Sequence, residues 1–279
     1  MKFWKMNGAG NDFIVLDNRS GALPEAALGQ VARRVCERHL SLGADGLMVV
    51  AAPRQGGDYR MLFYNSDGSM GEMCGNGARC ICRYGYENGL AGERQTVETT
   101  AGIVTGERIS ARQYRVRLND PTTVRRGLTL EAAGRTVTAD YVELGDPGIP
   151  HAAVEMPGLA QVPEEELRTL GRALRWHSAF PRGANVNFYE ITGPDRVLER
   201  TYERGVEDFT YACGTGTGSV VTVLTLAGRV SGRDVRVTMR GGELTIDAVV
   251  EDGRVRDLYL TGPTNIVARG ELTDEELAL

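Results

Sequence analysis

The chain has 279 residues, 42% of them hydrophobic, which is enough for two domains of ordinary size, each with its own core. A charged fraction of 25% and a net charge of -5 leave no basic footprint for nucleic acid or an anionic membrane surface, so a small molecule is the default partner. The first residues hold no apolar signal core, and no run of about 18 apolar residues occurs, so a soluble cytoplasmic protein is expected.

Met1 to Phe13 reads as strand-forming and contains both lysines of the chain, Lys2 and Lys5; arginine supplies every other basic side chain. Pyridoxal phosphate is held as a Schiff base on a lysine, so carbanion chemistry would have to proceed here without that electron sink. Pro24-Glu25-Ala26-Ala27-Leu28 opens an amphipathic helix whose Leu28, Val31, Ala32 and Val35 fall on one face. Gly43-Ala44-Asp45-Gly46-Leu47-Met48-Val49 leads into an apolar strand, and a Gly-rich turn after Cys74 leads into a helix of small residues. Thr96 to Val104 and Tyr114 to Leu118 read as strands.

A join is expected near Asn119-Asp120-Pro121, after which the same landmarks return. Pro163-Glu164-Glu165-Glu166-Leu167 opens a second amphipathic helix, 139 residues after Pro24. Gly183-Ala184-Asn185-Val186-Asn187 parallels Gly43 to Leu47, Tyr202 parallels Tyr64, and Cys213 follows Cys74 by 139 residues. Asp234 to Met239 and Leu244 to Val250 read as closing strands, and the acidic tail, Glu271 to Leu279, as a short closing helix or a frayed end. Four landmarks in one order, at offsets of 138 to 140 residues, argue for a duplication. The expected fold is α/β (α+β): two pseudo-symmetric domains, 1–119 and 120–263, related by a pseudo-twofold axis.

The five cysteines are an odd number and too few for a disulfide scaffold, so reduced thiols are expected. Cys74-Gly75-Asn76-Gly77 and Cys213-Gly214-Thr215-Gly216 share a C-G-x-G pattern whose glycines would let the backbone turn sharply. A helix starting there would aim its unpaired N–H groups at the sulfur or at a bound carboxylate, favouring thiolate over thiol. One such cysteine on each side of a cleft is the arrangement that inversion of a stereocentre requires: one thiolate removes the α-proton, and the opposite thiol returns one. Cys36, Cys80 and Cys82 read as small core residues, since helical spacing turns Cys80 and Cys82 roughly 200° apart. No paired CxxC and no closely spaced pair among His39, His151 and His177 argue for a metal, so neither metal nor cofactor is expected.

At these residues the chain resembles the diaminopimelate epimerase family over nearly its whole length. The resemblance is carried by Asn7-Gly8-Ala9-Gly10-Asn11-Asp12-Phe13, Gly43-Ala44-Asp45, Asn65-Ser66-Asp67-Gly68-Ser69, Cys74 to Arg79, Pro150-His151, Asn185-Val186, Tyr202-Glu203-Arg204-Gly205-Val206 and Cys213-Gly214-Thr215-Gly216. It implies two barrel-like domains, each wrapped around a central helix, with residues from about 264 to 279 packing back onto the first. It further implies that Cys74 and Cys213 are the acid/base pair and that His151 and Glu203 help set their protonation. Asn11, Asn65, Asn185, Glu203 and Arg204, with the backbone at Gly75-Asn76 and Gly214-Thr215, would bind an amino-acid substrate. An arginine beside an acid suits that role, since it can hold a carboxylate bidentately while the glutamate meets an ammonium.

The match departs from the family pattern at Ile149, where an amide side chain is usual, at Gly46, where glutamine is, and at Asn7, where histidine is. These positions bear on which amino acid is bound. The expected reaction is epimerisation of LL-2,6-diaminopimelate to the meso isomer. The alternatives are racemisation of another amino acid such as histidine, a cysteine hydrolase using His151 as base, which leaves the second cysteine unexplained, and a non-catalytic binding protein of the same fold. A homodimer is compatible with this reading.

Overall fold

The computed structural model describes residues 1–71 and 73–277 and divides into two compact units, Met1–Val116 with Gly262–Leu279, and Arg117–Thr261. In the first, β1 (Lys2–Gly8) and β2 (Asn11–Asp17) form a hairpin. Parallel neighbours need a crossover element. The chain accordingly passes through α1 (Glu25–Val35) to reach β3 (Gly46–Ala51), parallel to β2. β4 (Tyr59–Asn65) returns antiparallel to β3, and α2 (Gly75–Glu87) carries the chain to β5 (Arg94–Thr99), parallel to β4. β6 (Gly102–Arg108) and β7 (Gln113–Arg117) complete an antiparallel meander. The stretch expected as one strand over Thr96 to Val104 is therefore a hairpin. The Thr99 hydroxyl accepts from the Ala101 N–H at 3.1 Å and donates to the Gly102 carbonyl at 2.8 Å, which turns the chain there.

The second unit repeats this plan. β8 (Pro121–Ala132), β9 (Arg135–Leu144) and β10 (Ile149–Glu155) precede α3 (Glu164–Arg175); β11 (Asn185–Gly193) and β12 (Arg196–Tyr202) precede α4 (Gly214–Leu226). β13 (Val235–Met239), β14 (Gly242–Glu251) and β15 (Arg254–Pro263) follow. The strands lie side by side in chain order, parallel only at β10/β11 and β12/β13, where the two helices cross over. The outer edge of β1 is covered by the chain's last strand, β16 (Asn265–Glu271), which holds in the first unit the place that β8 holds in the second.

Two kinds of helix result. α1 buries Leu28, Val31, Ala32 and Val35, an i, i+3, i+4, i+7 stripe, against Ile14, Leu16, Leu47, Val49 and Leu62. α3 likewise buries Leu167, Leu170 and Leu174 against Ala152, Val154, Val186 and Phe188. α2 and α4 are instead buried nearly all round: Gly75 to Cys82 in one, and most of Gly214 to Leu224 in the other. α2 touches β1, β2, β3 and β6, and α4 touches β8, β9, β10, β11 and β14. Strands from opposite ends of one sheet can reach the same helix only if the sheet curls around it. β3, covered on both faces, buries all six of its residues.

The tail is neither a closing helix nor frayed where it is described. The Leu272 N–H donates to the Met1 carbonyl at 2.7 Å, Asp274 accepts from Arg34 at 2.8 and 2.9 Å and from Ser41 at 2.9 Å, and Leu277 packs beside the α1 core. Ala278 and Leu279 lie outside the described residues. Because α1 and α3 bury matching leucines, Leu28→Ala and Leu167→Ala are each expected to cost about 2–5 kcal/mol, read as a lower urea midpoint; an unchanged midpoint would contradict the packing described.

Candidate active site

Cys74 and Cys213 are the N-cap residues of α2 and α4, with φ/ψ of -121°/114° and -121°/104°. Each therefore sits in extended backbone at the start of the buried central helix of its unit, where the first-turn N–H groups have no partner within the helix. The Gly216 N–H points at Cys213 Sγ, 3.4 Å away, and Thr215 Oγ1 lies 3.6 Å from the same sulfur.

The glycines do something other than permit a sharp turn: Gly75, Gly77, Gly214 and Gly216 all lie within the helices. What Gly77 and Gly216 permit is close approach. A Cβ at Gly77 would stand 1.6 Å from Met48 Cε, and one at Gly216 would stand 2.2 Å from Asn187 Oδ1.

In the first unit Asn11 opens β2, Gly46 opens β3 opposite Asn65, and Asn65 closes β4, so these positions lie at the same end of three neighbouring strands. Asn11 Oδ1 accepts from Asn76 Nδ2, and Asn76 Oδ1 accepts from Arg79 Nη2 at 3.0 Å. Asn11 Nδ2 reaches Asp45 at 3.4 Å. Asn65 stands apart from this chain and donates to Ser69 Oγ at 2.9 Å. Arg79 is fully buried; burial lowers its pKa to about 10, so it keeps its charge at neutral pH. A cation behind the Cys74 turn favours negative charge at that end of α2.

In the second unit His151 lies opposite Asn185 at the start of β10 and β11, and Glu203-Arg204 follow β12. Asn185 is largely spent on scaffolding, since Nδ2 donates to the Pro150 carbonyl at 3.1 Å and Oδ1 accepts from the Arg204 N–H at 2.8 Å. The Arg204 guanidinium is exposed and reaches the Arg182 carbonyl at 3.3 Å. His151 is buried, with Nδ1 3.3 Å from Asn187 Nδ2. Among the described residues its Nε2 has no hydrogen-bond partner. Burial, and then the charge of Arg204, lower its pKa to about 3, so the ring is neutral.

The balance at Cys213 opposes the thiolate expected from the helix start alone. Burial pushes the thiol well above its ordinary range and the Glu203 carboxylate adds to this, outweighing the Thr215 hydroxyl and the Gly216 N–H, which pull it down. Arg79, Asn187, Glu199, Thr201 and Thr217, all buried polar groups around the two helices, are not among the site residues expected from the sequence. One signal was present, because Val197, Glu199 and Thr201 alternate on the inward face of β12, a position where an acid is costly unless hydrogen-bonded.

A cavity of about 460 Å³ in the second unit, lined by Thr138, Asp140, Glu155, Tyr189 and Leu224, includes none of these site residues and adjoins the far end of α4. Among the described residues no group of three or more His, Cys, Asp or Glu could hold a metal ion, and no helix is long and apolar enough to cross a membrane.

The model of the family described as diaminopimelate epimerase matches residues 3–124 and 145–267. The chain belongs to the diaminopimelate epimerase family. A diaminopimelate epimerase of Aquifex aeolicus is 39% identical, with 99% of each chain covered, and one of Archaeoglobus fulgidus is 38% identical, covering 99% of this chain and 97% of its own. The fold extends further than the family. A PhzF-family phenazine biosynthesis protein of Bacillus anthracis superposes with a TM-score of 0.73 at 14% identity, covering 97% of this chain and 98% of its own. A hydroxyproline epimerase of Agrobacterium vitis superposes with a TM-score of 0.70 at 18% identity, covering 99% of this chain and 94% of its own. The mixed α/β fold assigned above is thus shared with solved two-domain structures.

The depressed His151 carries a pH signature in this family member. As pH falls below 6.5 the unfolded chain takes up a proton that the folded chain refuses until about 3. Stability is therefore fully present above 6.5 and lost on acidification through that window, by about 1.4 kcal/mol per pH unit at most. Urea unfolding across the window is expected to show that slope, reduced in His151→Gln; equal slopes in the two proteins would show that His151 is not buried neutral.

Proposed function

We propose that the chain interconverts LL- and meso-2,6-diaminopimelate by a two-base reaction at Cys74 and Cys213, with no pyridoxal phosphate or metal. One observation carries this reading: in a chain of this family, two cysteines hold the same backbone conformation at the starts of the equivalent buried helices. A thiolate takes the α-hydrogen as a proton, forming S–H as C–H breaks, and the electron pair delocalises into the substrate carboxylate. The other thiol then gives its proton to the opposite face of that carbon, leaving thiolate and thiol exchanged between the two cysteines. First-turn N–H groups at Gly75-Asn76 and Gly214-Thr215 are suited to stabilise the charge that accumulates on the carboxylate. Arg204 is suited to a second carboxylate and Glu203 to an ammonium.

A different α-amino acid is the second reading, and Ile149 favours it. This residue opens β10 with an aliphatic side chain where a polar one would aid recognition of a second amino-acid head group.

The test is solvent deuterium incorporation at Cα from LL-diaminopimelate and from single-headed amino acids, in reduced wild type, Cys74→Ala and Cys213→Ala. Exchange confined to diaminopimelate and reduced about 10²–10⁴-fold by either substitution is expected. Exchange only with another amino acid would replace the substrate, and no exchange with any would overturn the reading. Arg204→Lys keeps the charge but loses the planar fork, so kcat/KM is expected to fall about tenfold or more, and a value equal to wild type would remove Arg204 from substrate binding.

A further inference from the structure

A continuous set of buried polar side chains runs beneath the start of α4, and the reaction as proposed does not use it. His151, Asn187, Glu199 and Thr217 are fully buried and Thr201 nearly so. Asn187 Nδ2 donates to the Ala152 carbonyl at 3.2 Å and faces His151 Nδ1, while its Oδ1 accepts from Thr201 Oγ1 at 3.0 Å. Thr201 Oγ1 lies 3.5 Å from Glu199 Oε1, and Thr217 Oγ1 lies 2.7 Å from Glu199 Oε2 and 2.9 Å from the Cys213 carbonyl.

Proton counting gives this set two arrangements. A threonine hydroxyl has one hydrogen to donate. If Glu199 is a neutral acid, its O–H donates to Thr217 Oγ1, the Thr217 hydroxyl donates to the Cys213 carbonyl, and each of these groups is satisfied. If Glu199 is ionised, the Thr217 hydrogen turns to the carboxylate and away from Cys213, and a buried negative charge faces the start of α4. We infer that Glu199 is a positioning residue for Cys213, whose single proton couples the orientation of the first turn of α4 to the ease with which the Cys213 thiol ionises.

The surroundings support this assignment. Desolvation raises the Glu199 pKa to about 8, against the opposing bonds from Thr217 and Thr201, so the acid is neutral at pH 7. Its charge, once formed, is among the influences that raise the Cys213 pKa. Among the described residues, Glu203 after β12 acts on Cys213, and the neutral His151 on β10 feels the charge of Arg204. β11 contributes Asn187, β13 contributes Met239 with its sulfur 3.4 Å from Thr217 Oγ1, and α4 contributes Thr215, none of them charged. At the matching place on β4 the first unit has the buried Met61, and the buried charge on its central helix α2 is the cation Arg79.

This inference rests on Cys213 being an acid/base group, yet its test needs no substrate, so it can fail separately from the proposed reaction. The test is iodoacetamide alkylation of Cys213 in the reduced full chain as a function of pH, read by peptide mass spectrometry, with the Cys74 peptide as internal control. Glu199→Gln mimics the neutral acid at every pH. It is expected to match wild type within about twofold near pH 7 and to shift the rise in alkylation lower by about one pH unit, about tenfold faster on that limb. Thr217→Val, which frees the acid from its bond and keeps it neutral to higher pH, should move the profile the same way, while Thr217→Ser should not. If Glu199→Gln does not fold, the Thr217 pair carries the test alone. Superimposable profiles in wild type, Glu199→Gln and Thr217→Val, or slower alkylation in the variants, would overturn the inference.

Discussion

Everything at the candidate site depends on a helix start buried inside a curled sheet. An α-helix leaves its first N–H groups without partners inside the helix, and in water that costs little. Here α2 and α4 are enclosed by strands of their own units, so whatever stands at their N-termini is held against the first-turn N–H groups in a place of low dielectric. A cysteine as N-cap answers the donors weakly, as the 3.4 Å contact from the Gly216 N–H to Cys213 Sγ illustrates. The small residues of each first turn follow from the same enclosure, because Met48 and Asn187 occupy the space where Cβ atoms at Gly77 and Gly216 would lie.

Within a duplicated scaffold the two cysteines are not electrostatic copies. Behind Cys74 lies the buried cation Arg79, bonded to Asn76 and to the Gly75 carbonyl at 3.3 Å. Around Cys213 lie Glu203 and Glu199, and burial with these acids raises its thiol. In the two-base reaction proposed above one thiol and one thiolate are needed at a time, and unlike surroundings would give them a preferred arrangement where identical ones would give none. Catalysis in both directions by that reaction would require the preference to be small enough to reverse during turnover.

The unit boundaries show a related economy. An edge strand left bare invites pairing with another chain. The second unit covers the edge of β9 with β8, which precedes it directly, whereas the first begins at β1 and takes its cover from β16, more than 250 residues later. Arg34, Ser41 and the Met1 carbonyl then hold the segment that follows, which is why its acidic composition does not leave it frayed.

The fold class, the repeat, the outer helices and the matched placement of the two cysteines were legible from the sequence by itself, through apolar spacing in α1 and α3 and a repeated C-G-x-G segment. Proximity along the chain likewise made the Glu203-Arg204 pair readable. Tertiary structure alone decided the rest. Thr96 to Val104 folds as a hairpin because a threonine hydroxyl caps its turn. Asn185 is committed to holding Pro150 and Arg204. The glycines serve close packing. The Cys213 thiol is raised where its position at a helix start alone would lower it. The buried set from His151 through Asn187, Thr201, Glu199 and Thr217 joins residues from three strands and a helix, up to 66 positions apart. No local pattern reveals such a set, because desolvation and hydrogen bonding depend on what surrounds a group in space, and only the folded chain determines that.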